Sequence, residues 1–147
     1  MSRLHEIRLR SDAFIANMNV NIAKSIEAVE KDLVGLNKSQ MLSSKDANDK
    51  PLIHSGTRSP NLSIAYARRT GKSKPNLLLS GDFQREMFLD VNENNLTYFI
   101  DSLDWKNGIL TTTYGNIFGI SESNQSKAKK STSKSFKRLY RSQVLRK

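Results

Sequence analysis

The chain has 147 residues, 37% of them hydrophobic, with 24 Lys and Arg against 14 Asp and Glu, and no cysteine. That length suits one domain, or a domain with a tail, and the missing cysteines exclude disulfide frameworks, thiolate zinc sites and cysteine nucleophiles. No apolar run approaches the ~18 residues a membrane span needs, and the N-terminus lacks the apolar stretch of a signal peptide, so a cytoplasmic chain is expected.

The net charge of +10 is unevenly placed. Residues 127–147 hold nine bases and no acid, so residues 1–126 hold 15 bases against all 14 acids. The body is nearly neutral and the C-terminal segment carries the field. A mean hydropathy of −0.56 implies that part of the chain does not pack.

In chain order, Ser11 or Asp12 caps a long helix. Ile15, Met18, Ile22, Ile26, Val29, Leu33 and Leu36 recur every three or four residues as one apolar stripe. Asn17, Asn19 and Val20 are mediocre helix formers, so packing rather than propensity must hold this element. Gly35 weakens its last turns, and it is expected to end near Leu42. The stripe reads as core, with an oligomer seam as the alternative.

Residues 43–61 read as loop, through Asp46, Asn48, Asp49, Pro51, Gly56 and Pro60. A short helix is predicted over residues 61–69, with Leu62, Ala65 and Tyr66 on one side. Arg58, Arg68, Arg69, Lys72 and Lys74 make a second basic patch with no acid among them. After Leu77-Leu78-Leu79, Ser80 or Asp82 caps one or two turns through Met87.

Three antiparallel strands follow in expectation, over residues 87–91, 96–103 and 109–113, a small β-meander. The first hairpin turns at Asn92-Glu93-Asn94-Asn95. The second turns at Lys106-Asn107-Gly108, where Asn-Gly suits a type I′ turn. Tyr114-Gly115-Asn116-Ile117-Phe118-Gly119-Ile120 is a glycine-punctuated apolar loop that tucks under the helix or meets a neighbouring subunit. Residues 121–133 read as mobile Ser/Lys-rich chain. Phe136, Leu139, Tyr140 and Val144 mark a short amphipathic helix. The expected fold is therefore α+β: a long N-terminal amphipathic helix on a small antiparallel meander over residues 1–120, then a basic, partly flexible tail over 121–147.

The search for an active site is empty. His5 and His54 stand in unrelated segments without carboxylates at ligand spacing. Gly71-Lys72-Ser73 resembles the end of a phosphate-binding loop, but Tyr66 stands where that loop needs glycine. Asp46 and Asp49 lack the glycine and distal glutamate of a calcium loop. Asp101 and Asp104 read as solubilising, and no cofactor is indicated. The clearest signal is the basic tail, where Lys127, Lys129, Lys130, Lys134, Lys137, Arg138, Arg141, Arg146 and Lys147 interleave with Phe136 and Tyr140. Such a segment suits DNA phosphate or an acidic protein groove, or is simply a solvated tail.

Three stretches between Val29 and Ser121 together resemble the tailed-phage virion morphogenesis and tail-completion proteins of the head–tail connector. Leu36-Asn37-Lys38-Ser39-Gln40 through Asp46-Ala47-Asn48-Asp49-Lys50-Pro51-Leu52 is similar to a helix end followed by an Asp-x-x-Gly-x-x-Pro-Leu loop, with Asp49 in the glycine's place and one residue fewer before the proline. Leu77-Leu78-Leu79-Ser80-Gly81-Asp82-Phe83 is similar to the Leu-x-x-Thr-Gly-x-Leu/Phe motif that opens a short helix before the sheet. Tyr114-Gly115-Asn116-Ile117-Phe118-Gly119 resembles the family's final strand and loop. The resemblance implies a structural adaptor without an active site, in a homo-oligomeric ring of roughly six or twelve copies. It also implies portal and other neck or tail proteins as partners, genomic DNA passing through the ring, no membrane, and a place at the head–tail junction after assembly in the host cytoplasm. Tyr114, Ile117, Phe118, Ile120, Pro51 and Leu52 would then form ring contacts. Arg58, Arg68, Arg69, Lys72, Lys74 and the tail bases Lys127, Lys129, Lys130, Lys134, Lys137, Arg138 and Arg141 would face DNA or an acidic neighbour. The rival is a small sequence-independent DNA-binding or regulatory protein anchored by its basic tail.

Overall fold

Asn17 and Val29 interrupt the helix that the apolar spacing predicts as continuous. In the computed structural model, which describes residues 2–78 and 81–146, the N-terminal region folds as α1 (Arg3–Ala16), α2 (Met18–Glu27) and α3 (Glu30–Leu42). Ser80 (an expected cap), Leu79 of the triple-leucine run and Lys147 of the tail lie outside the described residues.

The chain enters α1 at Ser2, whose hydroxyl accepts from the His5 amide at 3.4 Å, well before the caps expected at Ser11 and Asp12. Asn17 ends α1 because its side-chain amide donates to the Ala13 carbonyl at 2.9 Å, competing with the backbone ladder. Val29 ends α2 with a tight bond from its amide to the Ile26 carbonyl, at 3.0 Å. The two breaks re-aim the stripe: Ile15 is exposed, and Phe14 is the side chain α1 buries. Gly35 sits within α3, which ends at Leu42 as expected.

Segment 43–61 is loop, closed by a bridge between Lys45 and Pro51. The short helices are α4 (Ile64–Thr70) and α5 (Asp82–Arg85). Gly81 enters α5 at φ 85°, a left-handed conformation that favours glycine. The sheet has two strands, β1 (Met87–Asn92) and β2 (Thr97–Ser102), antiparallel with Met87 opposite Ser102 and Asn92 opposite Thr97. The Asn92 carboxamide closes the hairpin by accepting from the Asn94 amide at 2.9 Å.

The third strand of the expected meander is instead α6 (Asn107–Tyr114). Asp104 decides this, since its buried carboxylate accepts from the Lys106 amide at 2.8 Å and its carbonyl from the Asn107 amide at 2.9 Å. Asn107 does not form a type I′ turn; its side chain donates to Asp101 at 2.6 Å and to the Ser102 carbonyl at 2.9 Å. Asp101 and Asp104 are thus structural, not merely solubilising. Thr111 and Thr112 return hydroxyl bonds to the Asn107 and Gly108 carbonyls, so the β-branched run is satisfied within a helix.

The C-terminal segment is α7 (Glu122–Gln143), a 22-residue helix where mobile chain was expected over 121–133. It packs on α1, α2 and α3. The fold is α+β, with α2 and α3 covering one face of the hairpin and α7 lying over those helices. A main core joins Val34, Met41, Leu52, Phe83, Met87, Ile100 and Ile117, and a second one joins Ile26, Leu33 and Ala128. The Glu30 carboxylate accepts from the Leu89 amide at 3.1 Å, covering part of the outer edge of β1.

Candidate polyanion-binding surface

Helix α7 is fastened along its length. At its start the Asp49 carboxylate accepts from the Ser123 amide at 2.9 Å and the Ser123 hydroxyl at 2.7 Å. A negative group at a helix N-terminus satisfies open amides and meets the positive end of the dipole. Those Ser123 bonds, the amide's first, hold the Asp49 carboxyl below its usual range. Asp49 has φ 60°, the left-handed backbone that glycine favours. Asp49 thus combines a left-handed backbone with a side chain that caps the start of α7. The Gln40 side-chain oxygen accepts from the Ser121 amide at 2.9 Å, and its side-chain NH2 donates to the backbone carbonyls of Asp46 and Gly119, both at 3.2 Å.

Further along, the small side chain of Ala128 seats α7 against Ile26 and Leu33, and the Ser131 hydroxyl donates to Asp32. Phe136 and Tyr140 meet Phe14 edge-on, with ring centroids 5.5 and 5.2 Å apart. Val144 is fully buried, and the Arg146 carbonyl accepts from Arg10 at 2.7 Å.

With that face buried, the opposite one is left to the charges. At about 100° per residue, Lys127, Lys130, Lys134, Lys137, Arg138 and Arg141 fall within an arc of roughly 100° opposite Ala128, Thr132 and Leu139. All six are exposed. They extend over about 21 Å at ~1.5 Å per residue. Among the described residues none of the six is paired with a carboxylate; the ion pairs lie elsewhere, such as Arg10–Glu6 and Lys106–Asp104. Lys129 sits off this stripe, on a groove of about 600 Å³ shared with Ile22, Tyr98 and Phe136.

The mid-chain bases do not form a comparable face. Lys72 is drawn inward and donates to the Leu78 carbonyl at 2.5 Å. The Arg69 guanidinium lies 5.2 Å from the Tyr66 ring centre. Arg68 and Lys74 are exposed, and Arg58 is exposed at φ 50°.

Of the expected ring contacts, Ile117 (0% exposed) and Leu52 (1%) are spent on the chain's own core. Tyr114, Phe118 and Ile120 are half-buried against it, and burial raises the Tyr114 phenol above its usual range. Only Pro51 is exposed. The 114–120 loop therefore tucks inward. Its place among exposed apolar residues goes to Phe99 on the uncovered face of β2, and to Leu103, Trp105 and Ile109 just after it. The alternation of Phe99 with Tyr98 and Ile100 was the available signal, because an outward strand position is ordinarily polar.

Among the described residues no group of three or more His, Asp or Glu could hold a metal ion, and no helix is long and apolar enough to cross a membrane. His54 accepts from the Gly56 amide at 3.0 Å, and Asp46 accepts from the amides of Asn48 and Lys50, both at 2.8 Å, so these groups serve local turns. No family model, curated protein or solved structure matches the chain.

Proposed function

We propose that this chain is a non-enzymatic structural protein of a tailed-phage virion, a head–tail connector subunit of the tail-completion type that joins portal and tail around the DNA channel. One observation carries the reading. The three stretches that resemble the family are the ones that clasp one another. Met41 and Leu52 from the first, Phe83 from the second and Ile117 from the third meet in one core. Asn37 donates to the Ile117 carbonyl at 3.0 Å, and the Ala47 amide to the Asn116 carbonyl at 2.9 Å. Motifs that mean little singly are thus parts of one interior.

The 107–114 segment departs from the resemblance, being helix where a final strand was expected. Ring contacts then fall to exposed residues: the Pro51 loop on one side of the sequence, and Phe99, Leu103, Trp105 and Ile109 on the other. A ring subunit needs two unlike patches of this kind. The test is a phage carrying a stop codon in this gene. Its lysates are expected to hold filled heads and finished tails that do not join, with joining restored by the gene supplied in trans. Normal joined particles without the protein would overturn the reading.

A further inference from the structure

We propose that the outer face of α7 is a binding surface for the sugar–phosphate backbone of double-stranded DNA, engaged without regard to sequence. The inference rests on the connector reading for the DNA's location, but its physical basis is the stripe itself.

The chemistry of the face selects the partner. Its arc consists of Lys127, Lys130, Lys134, Lys137, Arg138 and Arg141, and the residues bordering it include Ser126 and Ser133. Within Glu122–Gln143 it presents no aromatic or aliphatic residue, the exposed Leu145 lying just past the helix end. Protein interfaces need apolar or aromatic anchors at their centre and are depleted in lysine, so an acidic protein groove would find no anchor here. Single-stranded nucleic acid is held by stacking on aromatic rings, and the rings of this helix, Phe136 and Tyr140, are turned inward onto Phe14. Lysine, arginine and serine are what remain for phosphate oxygens, and no Asn or Gln lies within the arc to read a base edge.

Spacing fits as well. Charges recur every three or four residues, about 5 Å apart along a helix. The stripe of about 21 Å covers some six base-pair steps at ~3.4 Å each. Neighbouring charges on it repel: Lys134 alone has Lys130, Lys137 and Arg138 at helical contact spacing. A phosphate row relieves that repulsion, and the internal ion pairs of the chain do not.

Truncation after Ser126 cannot test this, because it removes Ala128 and Val144 from the interior. The probe is the full chain and Lys130→Gln/Lys134→Gln/Arg138→Gln, with folding checked by circular dichroism. Each is titrated by anisotropy into two unrelated duplexes of about 30 base pairs, a single strand of the same length, and polyglutamate. The full chain is expected to bind both duplexes alike and more tightly than the other two polyanions. Its log K should fall against log salt with a slope near −5, about 0.9 per neutralised phosphate. The triple variant should lose roughly three units of that slope and about 10²–10³-fold in affinity at ~0.1 M salt. Equal binding to polyglutamate, tighter binding to the single strand, or an unchanged slope in a folded triple variant would each overturn the inference. Loss of the protein from virions would instead strike the connector reading, so the two failures are separable.

Discussion

Replacing Lys134 by glutamine should make the protein more stable, not less. Lys134 is exposed and stands one helical turn from Lys130, Lys137 and Arg138. Like charges at these spacings destabilise a helix by about 0.2–0.5 kcal/mol per pair, so three pairs amount to about 0.6–1.5 kcal/mol. Glutamine and lysine have nearly equal helix propensity, which leaves the charge as the main difference. For a chain of this length the gain corresponds to a rise in Tm of roughly 2–5 °C. The assay is thermal unfolding followed by circular dichroism, at ~20 mM and at ~1 M salt. At ~1 M the screening length shrinks to about 3 Å, and the two proteins should melt together. The same substitution should weaken duplex binding about eightfold at ~0.1 M salt, one phosphate contact being lost. A loss of stability at low salt, or a gain that salt leaves untouched, would refute the reasoning, for it would mean that these bases are not neighbours on one solvent face of a formed helix.

Other perturbations reach the buried side. Ile117→Ala empties a fully enclosed position where the three motif stretches meet, and should cost about 2–5 kcal/mol in urea unfolding. Phe14→Ala removes the ring between Phe136 and Tyr140; it should cost about 3–5 kcal/mol and raise hydrogen exchange of amides 136–144 above that of α3. Asp49→Asn keeps a residue tolerant of positive φ but removes the charge at the start of α7. Because the folded Asp49 carboxyl is held below its ordinary value, its contribution is complete above the unfolded pKa of ~3.9 and is lost as pH falls through the folded value. Asp49→Asn should therefore be less stable than the parent at pH 7, with the gap closing below about pH 4. A gap independent of pH would show that the carboxylate is not the stabilising form.

What could be read from the sequence followed local signals. The end of the first helical region at Leu42, the loop after it and the Asn92–Asn95 hairpin turn are set by residues that act on their immediate neighbours. The α+β class followed from these. The misreadings arose where a distant or buried polar group decides. Asn107-Gly108 carries a hairpin signature, yet Asp104 turns the chain into α6 by accepting from the Lys106 amide, and Asn107 is drawn to Asp101. The Ser/Lys run of 121–133 has linker composition, but Asp49, Gln40 and Asp32 hold it from positions 74 or more residues away. The same holds for the site. Charge density in the tail was visible, whereas its sorting onto one arc of a docked helix required knowing that Ala128, Phe136 and Val144 are inside. The apolar loop 114–120 could be read either way, and the carboxamides of Asn37 and Gln40 pull it inward.

The connector reading meets its most direct test in quantitative mass spectrometry of gradient-purified particles of the phage that the reading implies, scaled to major capsid and portal peptides. The protein is expected in every preparation at roughly six or twelve copies per particle, the number the connector resemblance implies. Its absence from particles, with abundant protein in infected cells, would contradict the connector reading and favour the rival DNA-binding one.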